Sequence, residues 1–125
     1  MEHSYKNLVV YAKSKDLVKQ VYALLKMFPK EEQYALCDQL RRAVISVPSN
    51  IAEGMGRSSN KERTHFVEIA YGSLMETNCQ LEIASELNYI SEEEYNNIDK
   101  EIDTIARMLS GLKQSLSSLD TRHSS

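Results

Sequence analysis

Tryptophan is absent from this 125-residue sequence, and cysteine, proline and glycine are scarce, at two, two and four residues. Two cysteines are too few for the disulfide framework that holds many small secreted domains together. So few glycines and prolines leave little material for the many turns of a β-sandwich. No apolar run approaches the roughly 18–20 residues that a membrane span requires. We therefore expect neither a disulfide-rich domain, nor a β-sandwich, nor a membrane protein.

The first residues, Met1 to Lys6, show no secretory signal pattern. A chain without such a signal is expected in the cytoplasm, where thiols stay reduced. We therefore predict that Cys37 and Cys79 are free, and that they behave as small hydrophobic residues.

Charge is modest overall but divided along the chain. The net charge is −3, which argues against a protein that coats nucleic acid through bulk charge. Residues 1–63 hold eleven Lys and Arg against seven Asp and Glu, a net charge of +4. Residues 64–125 hold four against eleven, a net charge of −7. Such a division suits either a local basic ridge that contacts phosphates or head-to-tail pairing between copies.

Apolar residues recur at helical spacing in four segments. The last segment is the clearest, because its apolar residues alternate three and four positions apart over more than three heptads. These residues are Tyr95, Ile98, Ile102, Ile105, Leu109, Leu112, Leu116 and Leu119. Ser91 and Glu94 form a capping box at its start, and Ile90 and Tyr95 a hydrophobic staple.

The third segment also begins with a capping box, formed by Ser59 and Glu62. One face of this helix is predicted to pack in the core, with Leu74 and Leu81 as a flanking stripe. The predicted core face is Phe66, Ile69, Ala70, Ser73, Thr77, Ala84 and Leu87.

The first two segments are separated by Pro29, which should end one helix and open the next. The first carries Val10, Ser14, Leu17, Val21, Leu24 and Phe28, and the second Leu36, Leu40, Val44, Val47 and Ile51. Pro48 should kink or end the second helix, because it cannot donate to the Val44 carbonyl.

Four amphipathic helices with short connections predict an all-α, antiparallel up-down-up-down four-helix bundle. We expect one domain over residues 1–125. Its predicted helices span roughly 6–28, 30–54, 60–87 and 92–119, followed by a frayed tail at 120–125.

No catalytic constellation is visible in the sequence. A di-iron bundle needs two Glu-x-x-His motifs, and only one is present, from Glu62 to His65. His3 and His123 lie in the tails, and neither cysteine has a nucleophile motif around it. We expect a protein that is not an enzyme, with no metal and no cofactor.

Two sets of polar residues are candidates for function. The first is a register-setting or assembly network between the second and third helices, although its members could equally form a solvated face: Arg41, Arg42, Asn50, Glu53, Ser73 and Glu76. The second is a candidate anion or nucleic-acid contact, although such charges are most often simply solvated: Lys15, Lys19, Lys26, Lys30, Arg57 and Lys61.

Two stretches carry a family resemblance. Residues 39–58 read QLRRAVISVPSNIAEGMGRS and residues 66–76 read FVEIAYGSLME, while Phe28, Pro29 and Glu32 resemble the entry to the family's second helix. The sequence closely resembles the bacterial four-helix-bundle family encoded in intervening sequences of 23S ribosomal RNA genes. The resemblance covers nearly the whole chain.

The resemblance implies an up-down bundle without enzymatic activity, and relatives that form ring-shaped homopentamers. The same fold serves as the accessory protein of diversity-generating retroelements, which binds a reverse transcriptase and nucleic acid. By this resemblance we expect a homopentameric binding module or scaffold, whose partner is RNA or an RNA–protein complex. The alternative is an accessory subunit that contacts another protein and no nucleic acid. The matching positions, with structural or assembly roles expected first, are Arg41, Arg42, Asn50, Glu53, Gly54, Gly56, Arg57, Ser73 and Glu76.

Overall fold

The computed structural model describes the backbone of residues 4–123 and the side chains as far as Leu119. Its four α-helices are α1 (Val9–Leu25), α2 (Leu36–Met55), α3 (Asn60–Glu86) and α4 (Glu92–His123). Short 3₁₀ turns occupy Ser4–Asn7 and Lys30–Glu32, and residues 4–123 contain no strand. Successive helices pack together and α1 also packs on α4, so α1 and α3 are diagonal. The predicted four-helix bundle is confirmed.

The predicted capping box at Ser91 is complete, whereas at Ser59 only the bond from the Glu62 amide is formed and the Glu62 carboxylate accepts the Ser59 hydroxyl instead of its amide. The Ser59 hydroxyl accepts the Glu62 amide at 3.1 Å at the start of α3. At the start of α4, the Ser91 hydroxyl accepts the Glu94 amide at 3.0 Å, and the Glu94 carboxylate accepts the Ser91 amide at 2.8 Å. These side chains satisfy amides that a helix start leaves without partners.

A left-handed residue ends α3. Asn88 has a φ of 63°, the Tyr89 amide donates to the Ala84 carbonyl, and the Asn88 amide donates to the Ser85 carbonyl. This pair of bonds is the Schellman arrangement, in which a residue such as asparagine or glycine reverses the chain. The turn therefore places α4 antiparallel to α3.

The connection between α1 and α2 is longer than predicted. Helix α1 ends at Leu25 and α2 begins at Leu36, so residue 30 does not open an α-helix as expected. The Gln33 side-chain amide donates to the Leu25 and Phe28 carbonyls at 3.3 and 3.4 Å. This side chain thus supplies a donor to carbonyls at the end of α1. The connection, residues 26–35, is thereby held against that end and does not form an α-helix.

Helix α2 continues through Pro48 to Met55, so the proline does not end it. The missing donor costs one helical hydrogen bond. The neighbouring residues Val44, Val47 and Ile51 are fully buried. Packing of this apolar face therefore holds the helix across the proline.

The core consists of aliphatic side chains from all four helices, as the periodicity predicted for α1, α2 and most of α4. The predicted face of α3 was right at Ala70, Thr77 and Ala84 but wrong at its edges. Leu74 and Leu81, expected at its flank, are fully buried, whereas Ile69 and Leu87 are exposed. The actual core face of α3 is Val67, Ala70, Leu74, Thr77, Leu81 and Ala84. Apolar residues on two faces of α3 made its orientation ambiguous from spacing alone.

At the carboxyl end, Leu119 is exposed and α4 runs on to His123, past the predicted helix end. Most of the predicted tail, residues 120–123, therefore has helical backbone, while Ser124 and Ser125 lie outside the described residues, as does His3. Within residues 4–123, no helix combines the length and apolar character needed to cross a membrane.

Candidate functional site

Polar side chains join α2 to α3 at the middle of the bundle. The Ser73 hydroxyl donates to the Ser46 hydroxyl at 2.9 Å. The Asn50 amide donates to the hydroxyl and to the carbonyl of Ser46, each at 2.8 Å. Ser73 and Asn50 were predicted members of a network between these helices, and Ser46 is the residue that connects them.

A second polar cluster lies further along the same helices. The Gln80 side-chain amide donates to the Gln39 side-chain oxygen at 3.3 Å and to the Glu76 carboxylate at 3.2 Å. Gln80 is only 8% exposed, and its own side-chain oxygen is buried without a donor among the described residues. A groove of about 390 Å³ lies beside this cluster, lined by Gln39, Arg42, Ala43, Ser46, Ser73 and Glu76. Arg42 and Glu76 thus line one groove.

Arg41 and Glu53, the other predicted members, make different contacts. Arg41 donates to the Asp38 carboxylate at 2.8 Å, and to the carbonyl and the side-chain oxygen of Gln33 at 3.1 and 3.0 Å. It therefore fixes the connection before α2. Glu53 pairs with Arg57 at 2.6 Å and has no recorded bond to Asn50 within the described residues. The six candidates belong to separate clusters.

The turn from α2 to α3 is held by its own cations. Besides pairing with Glu53, Arg57 lies over the Phe66 ring, 4.7 Å from the ring centre. The Arg63 Nε donates to the Arg57 carbonyl at 2.9 Å. Because Ser59 already accepts the Glu62 amide, these groups stabilise a helix–helix turn and leave Lys61 as its exposed cation.

An open groove separates α1 from α2. Its volume is about 400 Å³, and we call it the α1–α2 groove; its lining residues are Tyr11, Lys15, Val18, Lys19, Ile45, Pro48, Ser49 and Ala52. The Lys15 ammonium lies 5.0 Å from the centre of the Tyr11 ring. Neither Lys15 nor Lys19 has a carboxylate within ion-pair distance among the described residues. The groove is therefore apolar with a basic rim.

The remaining predicted cations, Lys26 and Lys30, are exposed near the connection between α1 and α2. Glu31 and Glu32 follow them directly in the chain. Of the four lysines predicted as an anion contact in this part of the chain, Lys15 and Lys19 lie in α1, Lys26 directly follows it and Lys30 begins the 3₁₀ turn. Only Lys15 and Lys19 share a groove.

The solvent face of α3 is unusually apolar. We call it the outer α3 stripe; it consists of the exposed residues Ile69, Gly72, Met75, Cys79 and Ile83. Exposed carboxylates accompany it at Glu68, Glu76, Glu82 and Glu86. Packing within the described chain explains the opposite face of α3 but not this one, so it is a candidate contact surface.

Charge is separated along the bundle axis. A plane across the bundle at the Ser46–Ser73 hydrogen bond divides the described side chains into two groups, one at each end of the bundle. The basic end, residues 4–18, 46–73 and 105–119, has eight cations and four carboxylates, a net charge of +4. The acidic end, residues 19–45 and 74–104, has six and twelve, a net charge of −6.

Tyr95 and Cys37 have shifted acidity. Burial raises the pKa of the Tyr95 hydroxyl, and nearby Asp99 raises it further. This hydroxyl donates to the Asn78 side-chain oxygen at 2.7 Å, and the Asn78 amide donates to Asp99 at 2.8 Å. Burial also raises the pKa of the Cys37 thiol, against a smaller opposing effect of Arg41.

Within the described residues, no group of three or more His, Cys, Asp and Glu side chains is arranged to hold a metal ion. His65 is exposed at the start of α3, edge-on to the Phe66 ring. The single Glu-x-x-His motif therefore has no group of further ligands around it among these residues.

Sequence reasoning missed three features: the α1–α2 groove, the outer α3 stripe and the axial charge separation. The stripe had a visible signal, since Ile69, Met75 and Ile83 do not share one helical face with Leu74 and Leu81. The other two features required knowing which helices are neighbours.

The sequence and fold resemble known proteins. A family model described as 23S rRNA-intervening sequence protein matches residues 6–111. The fold is similar to the crystal structure of a protein of unknown function from the S23 ribosomal protein family of Bacteroides thetaiotaomicron VPI-5482. That match has a TM-score of 0.78 and 24% identity, covering 84% of this chain and 98% of the other. No functionally curated protein shows significant similarity.

Proposed function

Since the chain belongs to the 23S rRNA-intervening sequence protein family, we propose that it is a non-enzymatic helical bundle that assembles with itself into a binding scaffold. The observation that carries this proposal is the outer α3 stripe, an apolar face directed away from the core. Burial of such a face against a second copy is favourable by about 25 cal/mol for each Å² of apolar surface removed from water.

The charges beside the outer α3 stripe indicate which surface of a second copy it contacts. Two α3 faces brought together would juxtapose the carboxylates of Glu68, Glu76, Glu82 and Glu86 from both copies, which is unfavourable. The α1–α2 groove has an apolar floor and the free cations Lys15 and Lys19. The outer α3 stripe of one copy therefore suits the α1–α2 groove of the next.

Such a contact is heterologous, because it joins different surfaces of the two copies. Helix α3 lies at the corner of the bundle next to α2, so its outer face is not directly opposite the α1–α2 groove. Each such contact therefore rotates the next copy relative to the previous one, and a rotation of this kind is what allows a ring to close. A ring of five, which the family resemblance implies, is the assembly that we propose.

The assembly is tested by size-exclusion chromatography with light scattering. We expect an oligomer at micromolar concentration, and a monomer for Ile83→Glu, which places a charge within the stripe. Lys15→Glu with Lys19→Glu should weaken association at least about ten-fold. Lys100→Glu, an exposed α4 position outside both surfaces, is the matched control and should assemble normally.

Reversing the charges on both sides of the contact is a stricter test of this assembly. Adding Glu82→Lys and Glu86→Lys to the doubly reversed protein should recover part of the lost association, because opposite charges again meet at the contact. A monomeric wild-type protein would contradict the proposal. So would a doubly reversed variant that assembles as well as wild type.

The cargo that we propose is RNA or an RNA–protein complex, supported by lysines outside the contact between copies, Lys13 in α1 and Lys61 in α3, which have no carboxylate within ion-pair distance among the described residues. An accessory subunit that binds only protein is the second candidate, favoured by the exposed side chains Met27, Tyr34 and Leu87. Tyr34 is 92% exposed. A pull-down from the native host that recovers a protein without RNA, and loses it in Tyr34→Ser, would favour this candidate.

A further inference from the structure

We infer that the basic end of the bundle is a binding surface for the phosphate backbone of a nucleic-acid duplex. The inference rests on the proposed role as a binding scaffold and assigns the place where the cargo is held. Its basis is the axial charge separation, in which the basic end carries +4 although the whole chain is acidic. A local concentration of cations is sufficient for phosphate binding, whatever the net charge of the protein.

Several cations at this end are free to bind. Lys6, Lys13 and Lys61 have no carboxylate within ion-pair distance among the described residues. Lys6 and Lys61 are also exposed, the first in the 3₁₀ turn before α1 and the second in the first turn of α3. By contrast, Lys113 is paired with Glu68 at 3.5 Å. Unpaired lysines can release counterions from phosphates without first breaking an internal pair.

The distribution of aromatic rings favours a duplex over a single strand. Surfaces for single strands combine cations with aromatic side chains on which unpaired bases stack. The most exposed aromatic ring within residues 4–119, Tyr34, lies in the acidic end. In the basic end the exposed aromatic rings are Tyr71, at 38%, and His65, and Arg57 lies over the Phe66 ring. This end therefore has no tyrosine as exposed as Tyr34, and free lysines beside limited stacking surface suit the backbone of a duplex, where bases are already stacked.

Self-assembly would strengthen this surface. In a cyclic oligomer every copy has the same orientation to the ring axis. With the bundle axes along that axis, all basic ends lie on one face of the ring and all acidic ends on the other. A duplex could then contact several copies, so assembly should raise affinity through multivalency.

The test is fluorescence anisotropy of labelled RNA and DNA duplexes, with a single strand for comparison, between roughly 50 and 200 mM salt. We expect duplex binding to weaken steeply with salt and to exceed single-strand binding. Lys6→Gln with Lys61→Gln should weaken duplex binding about ten-fold and reduce the salt slope by about 2. Light scattering should show unchanged assembly, which separates this test from that of the proposed function.

The matched control is Lys26→Gln with Lys30→Gln, which removes two exposed lysines from the acidic end. It should bind the duplex within about two-fold of wild type. Equal losses in both variants would overturn the inference, as would absent duplex binding at low salt. Equally strong displacement by polyglutamate would also overturn it, in favour of an acidic protein partner. The monomeric Ile83→Glu variant should bind the duplex with lower affinity than wild type. Adding Lys6→Gln and Lys61→Gln to it should still weaken that binding.

Discussion

Gly54 and Phe66 approach so closely that a side chain at position 54 would overlap the aromatic residue. A Cβ atom at Gly54 would lie 2.7 Å from the Phe66 Cβ and 3.3 Å from the Arg63 carbonyl oxygen. This contact joins the last turn of α2 to the second turn of α3. It explains in physical terms why glycine occupies the end of α2.

Gly54→Ala should therefore destabilise the bundle, although alanine is the better helix former by about 1 kcal/mol. We expect a net loss of about 1–3 kcal/mol in unfolding free energy, as for other overpacked core positions. Gly111→Ala is the control, because no atom lies within 4 Å of its new Cβ, and it should be stabilising. Urea unfolding measures both, and equal effects of the two substitutions would contradict the steric explanation.

The hydroxyl pair of Ser46 and Ser73 should contribute measurably to the α2–α3 contact. A double-mutant cycle with Ser46→Ala and Ser73→Ala should give a coupling energy of about 1 kcal/mol, typical of one net hydrogen bond. Ser49→Ala, at an exposed position of α2, should change stability by less than about 0.5 kcal/mol. Additive effects of the two alanines would show that the bond stabilises nothing.

The sequence was informative wherever the determinants of structure are local. The capping boxes at Ser59 and Ser91 involve residues three positions apart, so the pattern alone located two helix starts. The α4 seam was equally clear, because its apolar residues occupy a single face. The start of α2 could not be predicted, since Gln33 must reach the carbonyls of Leu25 and Phe28 to hold the preceding turn.

The candidate surfaces were harder to predict, because they depend on which helices are neighbours. Apolar residues on both faces of α3 allow two orientations, and only packing against α2 and α4 selects between them. The division of charge between chain halves was readable from sequence. Its conversion into basic and acidic ends requires the alternating direction of the helices, which brings Lys6, Lys61 and Lys113 to the same end.

The two cysteines should differ in their reactivity toward a thiol reagent, because only one is accessible to solvent. Cys37 is fully buried and its pKa is raised by burial, so little reactive thiolate is available, whereas Cys79 is exposed. In dilute native protein at pH 8, a thiol reagent should modify one equivalent rapidly and the second only on unfolding. Cys79→Ser should abolish the rapid phase, and Cys37→Ser should retain it. Because Cys79 lies in the outer α3 stripe, its reaction should also slow as association proceeds.

Tyr95 should make stability depend on alkaline pH. Its pKa is raised by burial and by Asp99, so the folded state holds the hydroxyl proton more tightly than the unfolded state does. Stability from this group is therefore fully present below the unfolded pKa, about 10, and is lost as pH rises through that value toward the higher folded pKa.

At neutral pH, Tyr95→Phe should cost about 1 kcal/mol, because Asn78 loses its donor. Chemical unfolding from pH 7 to 11 should show this difference shrinking above pH 10, and a constant difference would contradict the assignment. Tyr22→Phe, at an exposed α1 position, is the control for removal of a tyrosine hydroxyl and should change stability at neutral pH by less than about 0.5 kcal/mol.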